Sequence, residues 1–280
     1  MLTDIGYLAG AEALYREQLQ RRRARLAPDD PGLASAIGYL TGTLLAEQKD
    51  AAAETLLSEY LIGVRKRSSN AASGESSGIG VALHHLAEVL RERKGLAEAR
   101  PLAEEAAALY RSHPDWPANE REHAFYVLED VLTDIGDLRG IETLYEEQLQ
   151  SARGRLAPDD LELAGVIAQL AGTLLQEKKF TQAETFAREC LTIRERKLPD
   201  HWRTFNARSM LGAALLGQKN YAEAEPLLLS GYRGLERQQS DIPDDAKVRL
   251  KEALQRLVQL YEATNRRDQA DLLKNQSKGM

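Results

Sequence analysis

Residues 2–67 recur at 132–197, an internal copy at a constant offset of 130, and no other property of this 280-residue chain limits its possible folds as strongly. The offset carries Leu2-Thr3-Asp4-Ile5-Gly6 onto Leu132-Thr133-Asp134-Ile135-Gly136 and Arg25-Leu26-Ala27-Pro28-Asp29-Asp30 onto the same six residues at 155–160. It also carries Gly42-Thr43-Leu44-Leu45 onto 172–175 and Ala53-Glu54-Thr55 onto 183–185. Repetition of this kind predicts a stacked array. Each unit leaves an apolar face that only a neighbour covers, so the units share one continuous core and present one long surface. A surface of that kind serves binding.

The copy divides further. The small residue that opens each second helix falls at Ala11, Ala53, Ala99, Ile141, Ala183, Ala224 and Ala270, with spacings of 42, 46, 42, 42, 41 and 46. A period near 42 holds two amphipathic helices and a turn, the signature of a helix-turn-helix solenoid. The first helices carry apolar residues at i, i+3 and i+7, as in Ile37-Leu40-Leu44, Leu83-Leu86-Leu90, Phe125-Leu128-Leu132, Ile167-Leu170-Leu174 and Leu254-Leu257-Tyr261. Short turns are expected at Ile5-Gly6-Tyr7, Gln48-Lys49-Asp50, Lys94-Gly95, Ile135-Gly136-Asp137, Lys179-Phe180 and Lys219-Asn220-Tyr221, where Gly or Asn suits the left-handed residue that ends a helix.

Between repeats the recurring signal is Pro-Asp, at 28–29, 114–115, 158–159, 199–200 and 243–244. Proline stops one helix and the Asp after it is expected to cap the next. Residues 68–78 lack this pair and are rich in Ser and Gly, which reads as a looser loop within one array. Pro101 and Pro226 fall in opening helical turns, where a missing amide donor costs least. No strand-length alternating segment appears, so the fold class is all α. The expected organisation is a single solenoid over 1–280, with repeats at about 1–28 (partial), 29–68, 77–113, 117–157, 160–198, 202–239 and 243–278.

The run Leu211-Gly212-Ala213-Ala214-Leu215-Leu216, followed by Lys219-Asn220-Tyr221-Ala222-Glu223-Ala224-Glu225-Pro226-Leu227, resembles a tetratricopeptide repeat. Its long period and the Tyr-Ala-Glu-Ala-Glu-Pro-Leu phrase resemble the kinesin-light-chain-like subclass. The closing segment, from Arg203 through Ala263, also resembles the repeat tails of large planctomycete-type proteins, many with a serine/threonine kinase domain upstream. The resemblance implies an α-solenoid wound as a right-handed superhelix, a non-catalytic scaffold, and a protein or peptide partner held in a concave groove. It also implies an alternative: the chain as a C-terminal regulatory or scaffolding piece of a larger signalling protein, such as a kinase. Lys49-Asp50-Ala51-Ala52-Ala53 lacks the usual aromatic, while Ile141 and Glu129 stand where small residues are usual. The basic-and-Asn set by which chaperone-binding members clamp a C-terminal carboxylate is not evident.

In that family the first helix of each repeat lines the groove, with side chains one or two places off the apolar stripe facing inward. Carried onto this sequence, the partner-binding residues are Tyr39, His84, His85, Glu88, Arg91, His123, Tyr126, Asp130, Gln169, Asn206, Met210, Gln255 and Arg256. The stretch from His84 to Asp130 is the densest polar and aromatic cluster, and Tyr and Arg are frequent interface anchors. His84 and Glu88 are one helical turn apart, and His85 and His123 can approach from adjacent helices. Two His and a carboxylate can hold zinc, but nothing in the sequence fixes a third ligand and the metalloprotease spacing is absent, so no metal and no cofactor is expected. His113 and His201 lie in inter-repeat loops beside Trp116 and Trp202, where the indoles are expected to pack under the loop.

No glycine-rich phosphate loop, Gly-x-Ser-x-Gly elbow, paired-cysteine motif or kinase signature occurs, and the carboxylate pairs Glu104-Glu105 and Glu146-Glu147 read as solvated helix faces. No enzyme activity is expected. A net charge of −6 argues against nucleic-acid and anionic-membrane partners. The basic runs Arg21-Arg22-Arg23 and Arg65-Lys66-Arg67 fall at predicted helix ends, where cations complement the dipole. A lone Cys190 in a small-residue helical slot excludes an intramolecular disulfide and reads as packing; a cytoplasmic location follows as the default for a chain with no leader and no apolar run of membrane length. Met1 aligns with Val131, so the first repeat lacks most of its first helix. The face of helix 8–26 bearing Leu14 and Leu19 is therefore expected to be partly uncovered, as in a fragment of a longer protein or a chain that self-associates through that end.

Overall fold

A computed structural model of the chain describes residues 2–27, 30–68 and 77–277, and every regular element among them is helical. They fall into two compact units, Met1–Asp137 and Leu138–Met280. The first unit holds α1 (Leu2–Arg23), α2 (Pro31–Ala46), α3 (Asp50–Ser68), α4 (Ser77–Glu92), α5 (Leu96–Ser112) and α6 (Ala118–Ile135). The second holds α7 (Leu138–Arg155), α8 (Leu161–Gln176), α9 (Phe180–Lys197), α10 (Trp202–Gly217), α11 (Tyr221–Arg237), α12 (Val248–Ala263) and α13 (Arg267–Ser277), with short 3-10 turns at 239–241 and 244–246.

Within each unit every helix packs on the next, and the first helices of successive repeats also pack on one another, α2 on α4 on α6 and α8 on α10 on α12. Each unit is thus an α-solenoid stack of helix hairpins. Leu and Ile residues at helical spacing fill its interior: Ile37, Leu44, Leu57 and Leu83 in the first unit, and Ile167, Leu170, Leu174, Leu215, Leu228, Leu235 and Leu254 in the second, are all less than 2% exposed. Cys190 is buried among them, its thiol donating to the Ala164 carbonyl at 3.4 Å, and burial pushes the thiol above its ordinary range.

The intra-repeat turns share one closure. The amides of Lys49, Gly95, Asp137, Lys179, Asn220 and Arg266 each reach the carbonyl five residues back, at 2.8–2.9 Å, the bond that closes a Schellman motif. The left-handed residue is Gln48, Lys94, Lys178, Lys219 or Asn265, with φ of 58–64°, and only at Gly136 is it glycine. Gly95 and Asn220, expected to take that conformation, lie one place later at φ of −81° and −84°. The turn expected at Ile5-Gly6-Tyr7 is also absent: α1 is helical from Leu2 onward. At Gly136, by contrast, α6 ends on a left-handed glycine at φ 79° whose amide reaches the Leu132 and Thr133 carbonyls.

The caps fall one residue later than expected. Asp30 accepts from the Gly32 amide at 2.8 Å and Asp160 from the Glu162 amide at 2.7 Å, the second Asp of each Pro-Asp-Asp. His201 Nδ1 takes this role for α10, accepting from the Arg203 amide at 3.2 Å. Pro28-Asp29 and most of the 68–78 loop lie outside the described residues.

The internal copy reaches the level of ion pairs. Lys49 Nζ bridges Glu12 at 2.7 Å and Glu47 at 2.8 Å, and 130 residues on, Lys179 Nζ bridges Glu142 at 2.5 Å and Glu177 at 3.0 Å. Each trio ties the second helix of one repeat to the turn of the next. On α1, Leu19 is buried while Tyr7 is 80% and Leu14 51% exposed.

At the far end, Arg266 grips Glu225 with two bonds of 2.6 and 2.8 Å and lies 4.6 Å from the centre of the Tyr261 ring, joining α11 to the turn before α13. The Arg266 hydrogen bonds and charge hold the Glu225 carboxyl below its ordinary value of 4.5. A depressed folded-state pKa adds stability that is present above the unfolded value and is lost as pH falls through the folded one. Glu225→Gln should therefore destabilise the second unit at pH 7, with the gap from wild type closing as pH is lowered below about 4.5. Urea titrations followed through Trp202 at pH 7 and pH 3 check this; an equal gap at both would refute it.

Candidate functional site

Helices α4 and α6 present a shared polar face. On α4, positions 84, 88 and 91 lie on one side of the helix, with 85 beside them; on α6, positions 123, 126, 130 and 134 do the same. Because the two helices pack against each other, these rows meet. Arg91 reaches across to Asp130 Oδ2 at 2.9 Å and Asp134 Oδ2 at 2.7 Å. Glu88 Oε2 stands 3.3 Å from His85 Nδ1 and 3.5 Å from His123 Nε2. Tyr126, 66% exposed, flanks this network.

The three histidines form a compact group. Ring centres lie 4.4 Å apart for His84 and His85, 4.7 Å for His84 and His123, and 5.0 Å for His85 and His123. The sequence alone fixes no third ligand; in the structure one ring atom of each histidine lies within 4.8 Å of those of the other two. Gly38 of α2 makes room for them, since a Cβ there would sit 2.8 Å from His85 Nε2. His84 is wholly buried and neither of its nitrogens has a hydrogen-bond partner; Glu120 Oε2 stands 3.5 Å from Nε2 without bonding geometry.

Burial, and then the charges of His85 and His123, hold His84 well below its ordinary pKa and so neutral. Burial alone would raise Glu88. Hydrogen bonds from His123 and His85, with their charges, overcome this and keep the carboxyl ionised far below its usual range. His123 is raised in turn, chiefly by its bond to Glu88.

The remaining groove candidates scatter. Tyr39 on α2 is 61% exposed and stacks on Tyr15 of α1 at 5.8 Å. Gln169 on α8 and Gln255 on α12 are exposed. Three residues expected at the surface are not there: His84, Asn206 and Met210 are 0%, 7% and 5% exposed. A first helix packs both on its own hairpin partner and on the first helices beside it, so its buried arc is wider than the i, i+3, i+7 stripe. Asn206 donates to Met210 Sδ at 3.5 Å inside that arc. Arg256 is mostly covered as well, donating to Ser209 Oγ at 3.1 Å and Glu252 Oε2 at 3.3 Å. Conversely, sequence reasoning passed over Glu120, Asp134 and Gly38. The two acids sit at helical spacing from His123 and Asp130, which is the signal that marks them.

His113 and His201 belong to the loops. His113 stacks on Trp116 at 4.2 Å, and His201 lies 5.6 Å from the Trp202 ring while capping α10. No described helix is long and apolar enough to cross a membrane.

Residues 163–237, spanning α8 to α11, match a tetratricopeptide repeat family model, and residues 80–113, spanning α4 and α5, match a second. Among solved structures, the chain is similar to a Podospora anserina protein described as a kinesin light chain with nearly identical TPR-like repeats. Identity is 16%, the alignment covers 76% of this chain and 98% of that one, and the TM-score is 0.58. A form of the same protein carrying a methionine substitution is 16% identical, with 74% of this chain and 96% of that one covered and a TM-score of 0.56. Identity at this level speaks for the fold. A comparison with curated protein sequences finds no match.

Proposed function

We propose that this chain, a tetratricopeptide-repeat protein, is a non-catalytic scaffold that docks a protein or peptide segment, and that in its first unit the docking face is the one made by α4 and α6. The observation that carries this reading is Tyr126, a large aromatic held 66% exposed beside the Arg91–Asp130–Asp134 network. An exposed Tyr next to fixed charges is the composition of an interface anchor. Both flanking helices are rigid, so little ordering entropy opposes docking. Arg91 is held charged by two carboxylates, which leaves the face with net negative character and favours a segment bearing Lys or Arg.

Selection from a displayed random-peptide library tests this. Peptides enriched on the wild-type chain should carry basic residues and bind a Tyr126→Ala, Asp130→Ala variant at least about tenfold more weakly, a loss of about 1.4 kcal/mol. A Tyr7→Ala variant on α1 should bind them as the wild type does. Equal binding by all three chains, each with wild-type helicity, would remove α4 and α6 from the docking face.

A further inference from the structure

We infer that His84, His85 and His123, together with Glu88, form a site for a divalent transition-metal ion, with zinc the best fit. Three of the five histidines in the chain converge at this one place, two from α4 and one from α6. Their nearest ring atoms lie within 4.8 Å of one another, and Glu88 Oε2 sits between two of them at 3.3 and 3.5 Å. Zinc bonds to nitrogen at about 2.0–2.1 Å in a tetrahedron, which requires ligand separations of about 3.3 Å. Rotations of imidazoles about their side-chain bonds close the difference.

A second observation points the same way. The His84 ring is wholly buried, yet neither nitrogen has a hydrogen-bond partner. Buried polar groups are nearly always satisfied, and an orphaned imidazole in a core calls for an explanation. A metal ion would take up one nitrogen.

The donor set decides the class of ion. Three imidazoles and one carboxylate suit zinc and its borderline neighbours, whereas calcium and magnesium take oxygen ligands almost alone. The three imidazoles are the converging set, and Glu88, beside two of them, would complete a tetrahedron and close the site, as in structural rather than catalytic sites. The ion would clip α4 to α6 across a repeat boundary, beneath the proposed docking face but independent of any partner.

The test is zinc titration of the tag-free full chain against a competing chelator, with Co²⁺ as a spectroscopic probe. One zinc ion per chain is expected, with visible d–d bands for Co²⁺ of tetrahedral intensity. His123→Gln alters a half-exposed ligand and should weaken zinc binding by at least about a hundredfold, the upper end of what losing an outer-shell partner alone costs. Glu88→Gln serves if that variant fails to fold, and His113→Gln should bind as the wild type does. Zinc should raise the unfolding temperature reported by Trp116 in a Trp202→Phe chain. Absence of stoichiometric zinc binding, or wild-type affinity in folded His123→Gln or Glu88→Gln, would overturn the assignment.

Discussion

Replacing Tyr110 with alanine should cost the first unit about 3–5 kcal/mol, the range for losing a buried aromatic side chain to a cavity. Tyr110 is fully buried in α5; its ring meets Trp116 edge-on at 5.4 Å, lies 6.1 Å from His84, and fills the space above Gly80, where a Cβ would stand 2.8 Å from the ring. Helices α4 and α6 pack on either side of α5, so the ring's volume lies between packed helices. Its hydroxyl, however, is buried without a hydrogen-bond partner. Tyr110→Phe deletes only that unsatisfied group and should therefore stabilise the unit by roughly 1 kcal/mol. The two substitutions at one position thus have opposite signs. Urea unfolding monitored through Trp116, in a Trp202→Phe background, reads both. A Tyr110→Phe chain less stable than the wild type would mean that the hydroxyl is satisfied in solution.

Gly231→Ala should destabilise the second unit by about 1–3 kcal/mol, even though alanine is the better helix former by about 1 kcal/mol. A Cβ at position 231 would lie 2.8 Å from the Phe205 carbonyl oxygen and the Ser209 amide nitrogen, so α11 would have to withdraw from the backbone of α10. No rotamer change relieves a contact with backbone. Gly165, in the middle of α8, has nothing within 4 Å of the same added atom. Gly165→Ala should stabilise by about 0.5–1 kcal/mol through helix propensity alone. Both effects are read as shifts in the Trp202 transition. Similar behaviour of the two variants would show that α10 and α11 are less closely apposed than this geometry requires.

The hairpin architecture is legible in the sequence because periodicity survives translation into packing: Ile167, Leu170 and Leu174 are spaced for one helix face and are buried on it. Where the outcome depends on a neighbour, pattern alone falls short. Gly95 and Asn220 look like left-handed residues, yet the hydrogen-bond closure places that conformation on Lys94 and Lys219, one residue earlier. Similarly, His85, Glu88, Arg91, His123 and Asp130 are brought together as their spacing implies, while His84, Asn206 and Met210 fall inside an arc widened by the adjacent first helices. Local spacing fixes which residues share a face; how far burial extends around the helix is a property of the stack. The histidine cluster needed both, since two of its members come from one helix and the third from the next repeat.

The paired trios Glu12–Lys49–Glu47 and Glu142–Lys179–Glu177 also bear on how the chain reaches its native state. During folding, Lys49 meets in Glu142 an acceptor of the same kind, in the same local sequence, as its own partner Glu12, and the Leu residues flanking both sites are duplicated with it. Recognition between the halves is degenerate, so collapsed states in which a helix docks on the wrong copy are close in energy to the correct one and must be undone before folding completes. Fidelity then rests on the segments that were not copied. The histidine-bearing α4, its neighbour α5 and α6 up to Val131 lie between the duplicated stretches, and they give the chain an unambiguous centre from which each copy finds its own place.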